Sequence, residues 1–221
     1  MPVVTAECHA ARLLSGEAVL AAAVGLDTRP IAAKLAQFRK AHSSLSKASA
    51  ALATAEQRLV DAQRDVADFD NDQDAAVGAL AASLVTVGQP RLNPFRKLSK
   101  YAPGRMQQIG YAAEARALLE LTARARKLDG LNNEVQAAAR EAERCARALL
   151  AAVAVAEHVA ERAAAARDRR DALCQPWETA LAALRRAVRA QEQNGASGLF
   201  DALFRPATRR AKSVPPKRAE A

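Results

Sequence analysis

"IAAKLAQFRKAHSSLSKASAALATAEQRLVDAQRDVADFDNDQDAAVGALAASLVTV", Ile31 to Val87, has a large apolar residue at every seventh position with one exception. The row is Ile31, Phe38, Leu45, Leu52, Leu59, Val66, Gln73, Leu80 and Val87, and Gln73 is the exception. Three residues further on, Lys34, Ala41, Ala48, Ala55, Ala62, Phe69, Ala76 and Ser83 form a second row dominated by alanine. Large side chains on one row and small ones on the other, held over eight heptads, predict one arm of an antiparallel coiled coil with closely spaced helices. Asp27 or Thr28 can cap its start, Pro30 suits its first turn, and Gly88 with Pro90 ends it. A helix of that length would span about 85 Å.

The second half of the chain repeats the pattern with sizes less segregated. Leu121, Leu128, Val135, Ala142, Leu149, Ala156 and Ala163 make one row; Ala117, Arg124, Leu131, Ala138, Cys145, Ala152, Val159, Ala166 and Leu173 make the other. These rows predict a second long helix from about Gln107 to Leu173, hence a helical hairpin. Matching large knobs to small ones favours pairing at positions that total 197, which sets Leu59 against Ala138, Leu52 against Cys145 and Gln73 against Arg124.

The predicted organisation is all-α and elongated. Residues 1–29 form an N-terminal helical segment, interrupted near Ser15-Gly16, and residues 30–175 form the hairpin, with a tip loop over about 88–106. Residues 176–204 supply a C-terminal helix marked by Trp177, Leu181, Leu184 and Val188, followed by the short amphipathic piece "GLFDALF". Together the flanking helices predict a three- or four-helix base, with Trp177 as its anchor and Phe200 and Phe204 docked on it. The tail, 205–221, holds six basic residues and reads as disordered.

Composition agrees with long helices rather than a deep globular core. Alanine supplies 57 of 221 residues, and a methyl group favours helix while adding little apolar volume. The net charge of +9 suits anionic partners. Three cysteines, Cys8, Cys145 and Cys174, none in a CxxC spacing, point to reduced thiols and a cytoplasmic setting. The longest apolar run, Ala18 to Leu26, is too short to span a bilayer, and Glu17 before it argues against a signal peptide.

The tip is where solvent-facing chemistry stands out. From Val87 to Gly110 there are three prolines, two aromatics, five basic residues and no acid. Arg91, Phe95, Arg96, Lys97, Lys100, Tyr101 and Arg105 are the candidate partner contacts, with the cations meeting phosphates or carboxylates and the rings offering stacking faces. Alternatively, Phe95, Leu98 and Tyr101 fold back as a self-packed cap. In the tail, Arg209, Arg210, Lys212, Lys217 and Arg218 are a second candidate contact.

Other constellations carry less. The run "DFDNDQD", Asp68 to Asp74, lacks the Gly and Glu of an EF-hand and reads as charges paired with "RARK", Arg124 to Lys127, across the hairpin. Cys8-His9 with Glu7 could grip a metal only with partners from elsewhere. Glu157 and His158 are adjacent and point apart on a helix, and there is no Walker loop, HExxH or GxSxG. The expectation is a non-enzymatic structural or protein-interaction scaffold without cofactor, metal or catalytic residue. The alternatives are a nucleic-acid-associated protein and an amphipathic coat for a granule or membrane surface.

Overall fold

The computed structural model describes residues 6–128 and 132–204, with side chains from His9 onward. The fold is all-α: α1 (Ala6–Ala22), α2 (Ala32–Thr86), α3 (Pro103–Met106), α4 (Tyr111–Ala125), α5 (Asn133–Ala172), α6 (Cys174–Gln193) and α7 (Leu199–Phe204). Two short 3-10 turns, Ala23–Gly25 and Arg29–Ile31, lead into α2. No helix among the described residues is long and apolar enough to cross a membrane. The chain divides into two compact units, one of Met1–Ala51 with Arg167–Ala221, the other of Leu52–Ala166. The division falls within the long helices α2 and α5.

In the first unit, α1, the start of α2, α6 and α7 share one core. Ile31, Phe38 and Leu45 present the heptad row of α2 to Trp177, Leu181, Leu184 and Val188 of α6. Phe38 has no exposed surface, and its ring lies 5.6 Å from that of Trp177, centroid to centroid. Helix α7 seals this core with Leu203, while Phe200 and Phe204 pack at its edge beneath Arg189 and Arg185. Helix α1 continues through Ser15 and Gly16 rather than breaking there. The glycine is used for close approach: a Cβ on Gly16 would sit 2.2 Å from Nδ1 of His42.

In the second unit, Val66, Val77, Leu80 and Leu84 of α2 meet Leu118 and Leu121 of α4 and Val135, Ala142 and Leu149 of α5. Gln63 and Val66 share a groove with Val153 and Ala156, and Asp72 lies near Arg144 and Cys145. Higher numbers on α2 therefore meet lower numbers on α5, and the partners total close to 219 rather than 197. The reason is that residues 107–172 do not form one helix. Gly110, at φ +89°, starts α4 separately, and α4 ends at Ala125. Asn132 then caps α5 by accepting the Val135 amide N–H at 2.9 Å. Arg126 reaches Glu143, seventeen residues on, a pair that one continuous helix would hold about 25 Å apart. Helix α4 thus starts beside Gln63 and Val66 and packs along α2 toward the tip, where Arg124 meets Leu98, and α5 takes the register that this leaves.

Candidate functional site

The tip belongs to the second unit, and its backbone is fixed by local bonds. After Thr86, Gly88 takes φ +89°, its N–H donates to Val85 O at 3.1 Å, and the Gln89 N–H donates to Leu84 O at 3.1 Å. Asn93 Oδ1 accepts the Phe95 N–H at 3.2 Å, forming a turn through Pro94. The Leu98 and Ser99 amides then donate to Phe95 O at 2.7 and 2.8 Å, and Ser99 Oγ accepts the Tyr101 N–H at 3.1 Å. These bonds turn the apolar side chains inward. Phe95, Leu98 and Met106 are buried with Leu80, Leu84, Leu118 and Leu121. Phe95 is fully enclosed, which removes it from the candidate contacts: its ring is a core element and offers no stacking face. Tyr101 is half-buried.

The cations go the other way. Arg91, Arg96, Lys97, Lys100 and Arg105 are exposed, and none of the five has an ion pair within 4 Å among the described residues. Lys100 Nζ lies 4.9 Å from the centre of the Tyr101 ring, and Arg105 donates to Gln108 Oε1 at 3.3 Å. A 440 Å³ cleft beside the loop is lined by Ser99, Lys100, Tyr101, Arg116 and Arg124 among others. Arg124 Nη1 donates to Leu98 O at 3.0 Å and so ties α4 to the loop, and its Nη2 is 3.6 Å from Glu120. Leu92, 98% exposed, stands beside Arg91 at a second groove, with Pro94 and Pro103. Arg116 was not legible as a tip residue, because its approach depends on the loop residues Ser99 to Tyr101 lying along α4.

The acidic run does not face Arg124 to Lys127. Arg126 is engaged by Glu143, and the neighbours of Asp70 and Asp74 include Glu114 of α4, another acid. Glu114 is 2% exposed and Gln73 is fully buried. Burial pushes the Glu114 carboxyl up to about 7; the nearby Gln73 amide opposes the shift, and Asp74 and Asp70 add to it. Asp70 is likewise raised, by burial and then by Asp74.

In the first unit, Trp177 Nε1–H donates to His42 Nδ1 at 3.3 Å. Close by, His9 Nδ1 lies 3.4 Å from Cys174 Sγ, and His9 Nε2 lies 3.3 Å from Asp171 Oδ1. Burial lowers the His9 pKa, helped by Arg170, and raises that of the Cys174 thiol. Sequence spacing could not pair His9 with residues 162 and 165 positions away. Cys145 is a buried free thiol, and the side chains of Glu7 and Cys8 lie outside the described set. The tail candidates Arg209, Arg210, Lys212, Lys217 and Arg218 also lie outside the described residues. Compared with protein-family models, with characterised proteins and with solved structures, the chain matches none.

Proposed function

We propose that the protein is a non-enzymatic interaction module in which a helical hairpin presents a folded, outwardly basic cap to an acidic protein surface. The observation that carries this reading is the sorting of side chains at the tip. Its apolar residues Phe95, Leu98 and Met106 are spent on the interior, whereas five cations in a stretch without acids face solvent. A self-contained cap needs only the first half of that arrangement. Lys100, Arg116 and Arg124, with Glu120 the one acid, line a cleft that extends a net positive surface onto α4. The heptad row of α2 and its antiparallel partners on α5 support coiled-coil pairing as the basis of the hairpin. Burial of Phe95 favours protein over single-stranded nucleic acid, for which an exposed ring is the usual platform.

A photo-crosslinking residue at Lys97, with one at exposed Ala164 as control, tests the proposal in the native cell. The expected result is an adduct with an acid-rich protein at position 97 alone, lost when the flanking Arg96 and Lys100 are exchanged for Ser. A nuclease-sensitive adduct would transfer the reading to nucleic acid. Equal labelling at both positions would remove any special role for the cap.

A further inference from the structure

Three side chains that the sequence keeps far apart converge in the first unit. Asp171 and Cys174 are three residues apart at the junction of α5 and α6, the spacing that puts two side chains on one helical face. His9 comes to them from α1. It is the only group of three or more His, Cys, Asp and Glu side chains among the described residues with ligand atoms within 4.8 Å of one another.

We propose that His9, Asp171 and Cys174 bind a single divalent metal ion of the zinc class, with water completing a four-coordinate set. The three residues lie close enough to reach that geometry. Ligand atoms held at about 2.0–2.3 Å from one tetrahedral ion lie roughly 3.3–3.6 Å from each other. Cys174 Sγ and His9 Nδ1 are 3.4 Å apart, whereas the 3.3 Å approach of Asp171 Oδ1 is to the other ring nitrogen, Nε2, so with one nitrogen per ion one of these two contacts is already at ligand spacing. Bringing the full set from within 4.8 Å to those spacings takes a closure of about 1 Å, which side-chain rotation supplies.

The donor set also selects the ion. One thiolate sulfur, one imidazole nitrogen and one carboxylate oxygen suit a borderline-soft cation, whereas magnesium and calcium call for oxygen throughout. Thiolate and carboxylate together balance two positive charges. The nearby guanidiniums have carboxylates of their own: Arg12 is paired with Glu178, and Arg170 with Asp171 at 2.7 Å. Arg170 holds Asp171 Oδ1 through Nε and Nη2, at 2.8 and 2.7 Å, so Oδ2 is the oxygen left to serve the ion. The imidazole is 5% exposed, and its Nε2, although 3.3 Å from the carboxylate, is not aligned for a hydrogen bond. A buried ring nitrogen left in this state is what a metal or an outer carboxylate would order. Asp171 is half-exposed, leaving that side open for the ion and its water. The site stands independently of the tip.

Cobalt(II) added to the reduced, chelator-treated, tag-free full chain is the probe. The expected result is saturation at one ion per chain with a near-ultraviolet thiolate-to-cobalt band, displaced by zinc. Cys174→Ser should abolish the band, and His9→Ala and Asp171→Asn should each weaken cobalt binding about tenfold or more. Cys145→Ser, in the other unit, should leave both unchanged. Circular dichroism of each metal-free variant verifies folding, and Asp171→Asn, at a half-exposed position, is the variant least exposed to misfolding. Absence of the band in the native chain, its survival in Cys174→Ser, unweakened binding in folded Asp171→Asn, or its loss in Cys145→Ser would overturn the proposal.

Discussion

Trp177 donates its indole N–H to His42 Nδ1 at 3.3 Å, and the ring that accepts it fills the space above Gly16. Three helices thereby meet at one nitrogen. An added Cβ at position 16 would lie 2.2 Å from that atom, so the ring would have to move and the indole would lose its acceptor. In an open helix, glycine to alanine stabilises by about 1 kcal/mol. At this position Gly16→Ala should instead destabilise by roughly 1–3 kcal/mol, as overpacking does, measured by urea unfolding followed by tryptophan fluorescence.

Glu114 predicts an unusual dependence on pH. Its ordinary value is 4.5 and its folded value about 7, so the native state holds the proton more tightly than the unfolded chain does. The stabilisation is full below the unfolded value and is lost as pH rises through the folded one. Above that, an ionised Glu114 is buried near Asp70 and Asp74. Glu114→Gln should raise stability at alkaline pH by about 1–3 kcal/mol, and should flatten the unfolding free energy between acid and alkaline conditions. Chemical denaturation across that range checks both.

The tip should separate cleanly into interior and surface. Phe95→Ala removes a fully enclosed ring and should cost about 3–5 kcal/mol. Replacing Arg96, Lys97 and Lys100 by Ser should change stability by about 0.5 kcal/mol or less per site, because all three are exposed and have no ion pair within 4 Å among the described residues. Equilibrium unfolding of the two variants provides the comparison.

Register can be read chemically. In a Cys145→Ser background, cysteines introduced at Val66 and Val153 line one groove and should bridge on mild oxidation. Leu52→Cys should leave the native Cys145 unbridged, since the observed pairing displaces the two by about 30 Å along the helices. Mass mapping of the oxidised peptides distinguishes the outcomes.

The sequence reading reached α2 nearly to the residue, because alternating large and small heptad rows, a proline at the start and Gly88 at the end all agree. It reached the capped core at Trp177 for the same reason: Leu181, Leu184 and Val188 repeat on one face. It missed the break between α4 and α5. Leu121, Leu128 and Val135 keep a heptad rhythm straight across that break, and helix period alone does not say which side of a turn each residue occupies. The opposing signals were present in "KLDGLNNE", where Asp129-Gly130 is a turn dipeptide and Asn132 a cap. Misplacing that break moved the register by about three heptads and set the acidic run against the wrong helix. The His9, Asp171 and Cys174 cluster was legible only as a pair three apart and a lone histidine, because its third member arrives through tertiary packing.

The antiparallel pairing of α2 with α5 in the second unit also restricts how this chain can vary over evolution. Removing seven residues from α2 alone would preserve every knob on that helix yet slide each of them past its partner on α5. Only a matching loss from α5 would restore the fit, so viable length changes in these arms must come as coordinated pairs. The loop residues 87–110, which sit outside the pairing, can gain or lose single residues wherever Phe95, Leu98 and Met106 are spared. Descendants of this sequence should therefore keep the arms in step while the cap drifts in length.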